Sequence, residues 1–129
     1  MEETVRLLVV DDEDRIRRLL NMYLSREGFE IDEAVDGAEA IEKALANHYD
    51  CILLDLMMPE MDGFEFVDRV RQHPEWRAIP IVVVTAKDLT AKDRRRLNGY
   101  VETILRKAGD SREALLNQVR DLLANCVAP

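Results

Sequence analysis

Cysteine, proline and glycine are all scarce in this chain of 129 residues, at two, four and five copies. Two cysteines, Cys51 inside an apolar run and Cys126 near the C-terminus, form no disulfide framework and point to a reducing compartment, the cytoplasm. Few prolines and glycines and no low-complexity tract exclude a fibrous or disordered chain. Long apolar runs are missing too. The longest, Leu7 to Val10 and Ile79 to Val84 with Pro80 inside, fall far short of the roughly 20 residues of a membrane span, so no membrane association is expected. Glu2 and Glu3 stand where a secretory leader would carry Lys or Arg, and export is not expected either. Positive charge is in the minority, with 18 Lys and Arg against 26 Asp and Glu for a net charge of −8. Non-specific nucleic-acid binding, which needs a positive footprint on the phosphate backbone, is therefore not expected.

What is present has the length and composition of a single globular domain, 1–129, large enough to bury about two-thirds of its unfolded surface. At its centre, Cys51 to Leu54 is an apolar run without polar alternation, which predicts a strand buried on both faces. Asp55 stands at its end, and Met57 to Gly63, with Pro59 and Gly63, reads as a turn before the next helix. Val5 to Val10 predicts a first strand, ending at four consecutive acids, Asp11 to Asp14. A helix follows to about Glu27, with Ile16, Leu19, Leu20, Tyr23 and Leu24 as its apolar stripe and Arg15, Arg17, Arg18 and Asn21 off it. Phe29 to Val35 alternates, as an edge or near-edge strand does. A second helix ends near Asn47, with Ala38, Ala40, Ile41, Ala44 and Leu45 on its inner face.

Phe64, Phe66, Val67 and Val70 mark a third helix, closed by His73 and Pro74. Ile79 to Val84 predicts a fourth, doubly buried strand. Thr90 and Asp93 offer an N-cap and capping acid for a fourth helix through Leu97, stopped by Asn98 and Gly99. Val101 to Leu105 predicts a fifth strand. The last helix carries Leu115, Leu116, Val119, Leu122 and Leu123. Alternating strands and helices imply a doubly wound α/β fold: a five-stranded parallel sheet with five helices on its two faces, joined by right-handed crossovers.

In such a sheet the strand ends share one edge. Asp11 and Asp12, Asp55, Thr85 and Lys107 all lie just past strand ends, so they converge on one pocket where open α/β folds bind ligands. Carboxylates crowded together repel one another unless a cation neutralises them. Oxygen ligands with one or two direct carboxylates suit Mg²⁺, which keeps waters and pairs with phosphate. A metal, an ammonium and a hydroxyl around one carboxylate are what phosphoryl transfer to that carboxylate requires, predicting an aspartyl phosphate on Asp55.

The ordered set Val9-Val10-Asp11-Asp12, Asp55-Leu56-Met57-Met58-Pro59 with Met61-Asp62-Gly63, Val84-Thr85-Ala86 and Lys107 resembles the receiver domain of two-component response regulators, over nearly the whole chain. The resemblance implies the flavodoxin-like strand order 2-1-3-4-5. It implies Asp55 as phosphoacceptor, with Asp12, Asp55 and the Met57 carbonyl as Mg²⁺ ligands and Asp11 as an outer-shell acid. Thr85 becomes the switch hydroxyl and Lys107 the phosphate-contacting lysine, with Arg106 its neighbouring rival. It further implies a signalling module rather than an enzyme. The phosphodonor partner is a histidine kinase or histidine phosphotransfer protein, docking at Arg15, Arg18 and Met22 on the first helix. The downstream protein partner is met through the fourth helix, fifth strand and fifth helix. With no effector segment after the last helix, a stand-alone regulator or a receiver from a hybrid sensor kinase is expected. Two positions depart from the family pattern: Ile104 stands where an aromatic is usual, and Ala108 where a proline is usual.

Two other readings compete. An aspartyl-nucleophile phosphatase would carry a second Asp two residues after the nucleophile, where this chain has Met57. A phosphorylation-independent binding module would tolerate Ile104 and Ala108 but has no use for the acid pocket. His48 and His73 read as surface residues, so the donor histidine belongs to another protein. Lys92 and Arg94 to Arg96 form a basic run, read as a solvated helix face or a protein-docking surface. Trp76 reads as a loop residue without assigned function.

Overall fold

The computed structural model of the protein describes residues 4–58, 61–107 and 112–126. Pro59, Glu60 and Ala108 to Ser111, on which part of the turn reading rests, lie outside the described residues, as does the side chain of Cys126. In chain order the elements are β1 (Arg6–Val10), α1 (Asp14–Arg26), β2 (Glu30–Ala34), α2 (Gly37–Ala46), β3 (Cys51–Leu54), α3 (Gly63–Gln72), a short 3-10 turn (Pro74–Trp76), β4 (Ile81–Thr85), α4 (Ala91–Leu97), β5 (Thr103–Arg106) and α5 (Arg112–Cys126). The strands form one parallel sheet in the order β2-β1-β3-β4-β5.

The apolar strands need two cores, because successive side chains point to opposite faces. Leu8, Val10, Ile52, Leu54, Ile81 and Val83 pack with residues of α2, α3 and α4 on one face. Leu7, Val9, Leu53, Val82 and Val84 pack with α1 and α5 on the other. Each fully buried Leu or Val contributes roughly 1.5–3 kcal/mol, so β1, β3 and β4 hold the sheet and fix its register. The alternating, charged β2 lies at the sheet edge, where its acids discourage pairing with another chain.

The helix ends follow local chemistry. Thr90 and Asp93 form a reciprocal capping box on α4, and Asp36 and Asp62 cap α2 and α3 by accepting from Glu39 and Glu65 N–H groups. From the last turn of α3, the Arg71 guanidinium donates to the carbonyls of Tyr100 at 3.0 Å, Arg77 at 2.9 Å and Ile79 at 3.2 Å. It thereby ties the α3–β4 and α4–β5 connections together. Among the described residues no helix is long and apolar enough to cross a membrane.

Several elements differ from the sequence reading. Ala38 and Leu45 face solvent, Leu45 at 66% exposure, rather than the core. At 100° per residue both sit roughly 100° from the middle of the stripe set by Gly37, Ala40, Ile41 and Ala44. The fourth strand opens at Ile81, two residues late, because Pro80 has no N–H for the ladder. The fifth opens at Thr103 rather than Val101. Trp76 is buried, and its ring lies 4.0 Å from that of His73.

The turn after β3 folds back tightly. A Cβ on Gly63 would lie 2.6 Å from both the Asp55 carbonyl oxygen and the Leu56 Cα, whereas one on Gly37 would meet the flexible Met61 side chain at 2.8 Å and backbone, the Met61 carbonyl oxygen, only at 3.1 Å. Gly63→Ala is therefore expected to cost about 1–3 kcal/mol, and Gly37→Ala clearly less, because a thioether can swing aside and a backbone cannot. Urea unfolding of both variants checks this; equal losses would contradict the close-approach account.

Candidate functional site

The β-strands deliver their first residues beyond the sheet to one edge with little freedom. Asp11 N–H donates to the Ala34 carbonyl at 3.1 Å, Asp55 N–H to Val10 at 3.0 Å, and Lys107 N–H to Thr85 at 2.9 Å. The ladder thus runs one residue past each strand and places three functional side chains by main-chain bonds. Carboxylate oxygens of Asp11, Asp12 and Asp55 lie within 4.8 Å of one another. Asp11 and Asp55 are buried, at 2% and 4% exposure, while Asp12 is exposed.

The Lys107 ammonium bridges them, 2.7 Å from Asp11 Oδ2 and 3.1 Å from Asp55 Oδ2, with Glu13 Oε1 at 3.5 Å. Arg106, the rival, points elsewhere and pairs with Asp88 at 2.7 Å. One ammonium against three carboxylates leaves a surplus of negative charge. Burial pushes the Asp11 carboxyl up to about 6, against the opposing pull of Lys107 and the Glu13 N–H. Burial also presses the Lys107 ammonium downward, but the hydrogen bond and charge of Asp11 and the charge of Asp55 outweigh it, leaving its pKa above the ordinary value.

Around the acids, Met57 N–H donates to Asp55 Oδ1 at 3.2 Å and Glu13 N–H to Asp11 Oδ1 at 2.8 Å. Thr85 is fully buried, its Oγ1 accepts from Lys87 N–H at 3.2 Å, and its own hydroxyl hydrogen has no acceptor among the described residues. The Lys87 ammonium reaches Asp93 of the α4 capping box at 3.4 Å. Ile104 is half-buried and packs against the core beside α2, α3 and α4. The two histidines stay apart from this edge: His48 pairs with Asp50 at 3.6 Å and His73 with Glu75 at 3.5 Å.

The site also contains a residue that the sequence reading set aside. Arg17 is buried at 5% exposure, with its Nη1 donating to the Asp11 carbonyl at 2.9 Å. Its position three and seven residues before the buried Leu20 and Leu24 puts it on their face of α1, a signal available in the sequence. The three-carboxylate set, all oxygen and partly open to solvent through Asp12, fits a hard divalent cation.

A family model described as the response regulator receiver domain matches residues 7–120. The transcriptional regulatory protein SrrA of Staphylococcus aureus is 53% identical over 94 residues, 73% of this chain, which spans only 36% of that relative's length. The structure of chemotaxis protein CheY4 of Vibrio cholerae is 31% identical with a TM-score of 0.81, covering 94% of this chain and 100% of that one. Response regulator TrrA of Thermotoga maritima, solved in complex with Mg²⁺ and BeF, is 34% identical with a TM-score of 0.74, covering 93% of this chain and 100% of that one.

Asp11 carries a pH dependence. Between 3.8 and about 6 the folded chain holds a proton that the unfolded chain releases, so this contribution to stability is full at low pH and lost as pH rises through about 6. Without divalent ions, Asp11→Asn should therefore stabilise the fold near neutral pH by about 1–3 kcal/mol and change little near pH 4. Thermal melts across that range check it. A loss of stability at neutral pH would mean that the pairing with Lys107 outweighs burial.

Proposed function

The chain belongs to the response regulator receiver family of two-component signalling, and from that premise we propose that Asp55 accepts a phosphoryl group, with Mg²⁺, from a phosphohistidine on a partner protein. The observation that carries the reading is the Lys107 ammonium held between two buried carboxylates, Asp11 and Asp55, beside a third at Asp12. Asp12, Asp55 and the Met57 carbonyl would hold the metal, with Asp11 in the outer shell. Bound there, the ion would offset charge on the phosphoryl oxygens.

A carboxylate oxygen of Asp55 attacks phosphorus, the P–O bond forms as the P–N bond to the donor imidazole breaks, and the leaving imidazole takes up a proton. Lys107, already 3.1 Å from Asp55, pairs with a phosphoryl oxygen, and the hydroxyl hydrogen of Thr85, without an acceptor among the described residues, is available to another. The partner is a histidine kinase or histidine phosphotransfer protein, docking at Arg15, Arg18 and Met22. Arg15, Arg18 and Met22 are all exposed on α1, which agrees with that use. The cytoplasm is the setting such a partner requires.

Adding about −1.5 to −2 of charge to the pocket shifts a two-state equilibrium, and the output is protein contact through α4, β5 and α5. Two features support that route. Lys87 joins the Thr85 hydroxyl to the α4 capping box, a polar link that does not depend on an aromatic at Ile104. Between α4 and β5 lies a cavity of about 440 Å³ lined by Arg94, Arg95, Leu97, Val101 and Ile104. The transcriptional role in the name of the staphylococcal relative belongs to a much longer protein.

Intact-protein mass after incubation with acetyl phosphate and Mg²⁺ tests the acceptor. Wild type should gain one phosphate, and Asp55→Asn or a chelated sample none. Lys107→Ala should still gain mass while losing the accompanying change in hydrogen exchange at α4 and β5. Stoichiometric phosphate on Asp55→Asn would overturn the assignment.

A further inference from the structure

Asp12 makes no hydrogen bond or ion pair among the described residues, although it shares the acid pocket with Asp11 and Asp55. Among the described residues, nothing but its backbone sets where its carboxylate stands. The peptide plane entering Asp12 is the one that carries the Asp11 carbonyl, and that carbonyl is held by Arg17 Nη1 at 2.9 Å.

We propose that Arg17 is a positioning residue for the divalent cation, fixing through the Asp11 carbonyl the direction in which β1 presents Asp12. The proposal rests on the metal-dependent acceptor reading above. The guanidinium is anchored from three sides. Its Nε donates to Glu33 Oε1 on β2 at 2.7 Å, and its Nη2 to Asp14 Oδ1 in the first turn of α1 at 2.6 Å. Asn21 Nδ2 holds the other Glu33 oxygen at 2.6 Å, and the Lys43 ammonium donates to the Glu33 carbonyl. Glu33 precedes Ala34, whose carbonyl accepts the Asp11 N–H at 3.1 Å.

Both polar groups of the Asp11 main chain are thus tied to β2, the N–H directly and the carbonyl through Arg17 and Glu33. A planar fork with donors in several fixed directions suits this task, and a lysine does not. A buried cation with this many partners is also costly to leave half-paired, which makes the geometry rigid.

The sign of the effect separates positioning from simple electrostatics. A positive charge beside the acids opposes a divalent cation, so removing it should tighten Mg²⁺ binding if charge alone matters. Positioning demands the reverse. Groups that orient metal ligands typically change affinity by about 10–100-fold when lost. Calorimetric titration of the folded protein with MgCl₂, without any phosphodonor, is the test.

Arg17→Gln and Arg17→Lys should each weaken binding by about tenfold, with far-UV circular dichroism showing native helix content. Should Arg17→Gln fail to fold, Arg17→Lys decides alone, because it keeps the positive charge and removes only the planar fork. Unchanged or tighter binding in folded variants would overturn the positioning role while leaving the acceptor reading intact. A wild-type protein that binds no Mg²⁺ would overturn both. Wild type that binds Mg²⁺ but gains no phosphate would overturn only the acceptor reading.

Discussion

The interaction on which this structure turns is the Lys107 ammonium lodged between Asp11 and Asp55. Three carboxylates crowded at the end of a parallel sheet repel one another, and two of them are removed from water, each a cost to the folded state. A single ammonium lowers that cost without cancelling it. The surplus negative charge makes the pocket a place for a cation, and a divalent ion would complete the balance that the protein's own groups leave open.

That tension is sustainable because the rest of the fold is conventional and well buried. β1, β3 and β4 are nearly continuous apolar runs that divide their side chains between two cores, one under α1 and α5 and the other under α2, α3 and α4. Their ladder hydrogen bonds extend to Asp11, Asp55 and Lys107, so stability gained in the cores is spent at the edge in holding charged groups close. Gly63 allows the turn after β3 to fold against the Asp55 carbonyl, which keeps the loop close to the proposed acceptor. Arg17 and Glu33 brace the opposite wall.

Much of this was legible in the sequence, for an identifiable reason. A strand buried on both faces leaves an unbroken apolar run, and a parallel sheet turns the residue after each run into a member of one cluster. Leu7 to Val10, Cys51 to Leu54 and Ile79 to Val84 therefore located Asp11, Asp12, Asp55 and Thr85 without tertiary information. Lys107 was harder: next to Arg106 it was ambiguous until the β5 register sent Arg106 to Asp88. Arg17 was missed because apolar periodicity assigns charged residues to solvent by default, although its spacing from Leu20 and Leu24 put it on the buried face. Leu45 failed in the opposite sense, an apolar residue just beyond the stripe and left in water. Trp76 follows no periodic pattern, and only the 3-10 turn after Pro74 brings it into the core.

In the proposed function the acids and Lys107 act as one pocket, in which a metal cation and a phosphoryl-like anion are accommodated together. Fluorine NMR of the protein with beryllofluoride tests it most directly, because the bound anion gives resonances distinct from free fluoride species. Bound signals are expected only when Mg²⁺ is present, and none with Asp55→Asn. Signals that persist without Mg²⁺, or survive the loss of the Asp55 carboxylate, would contradict it.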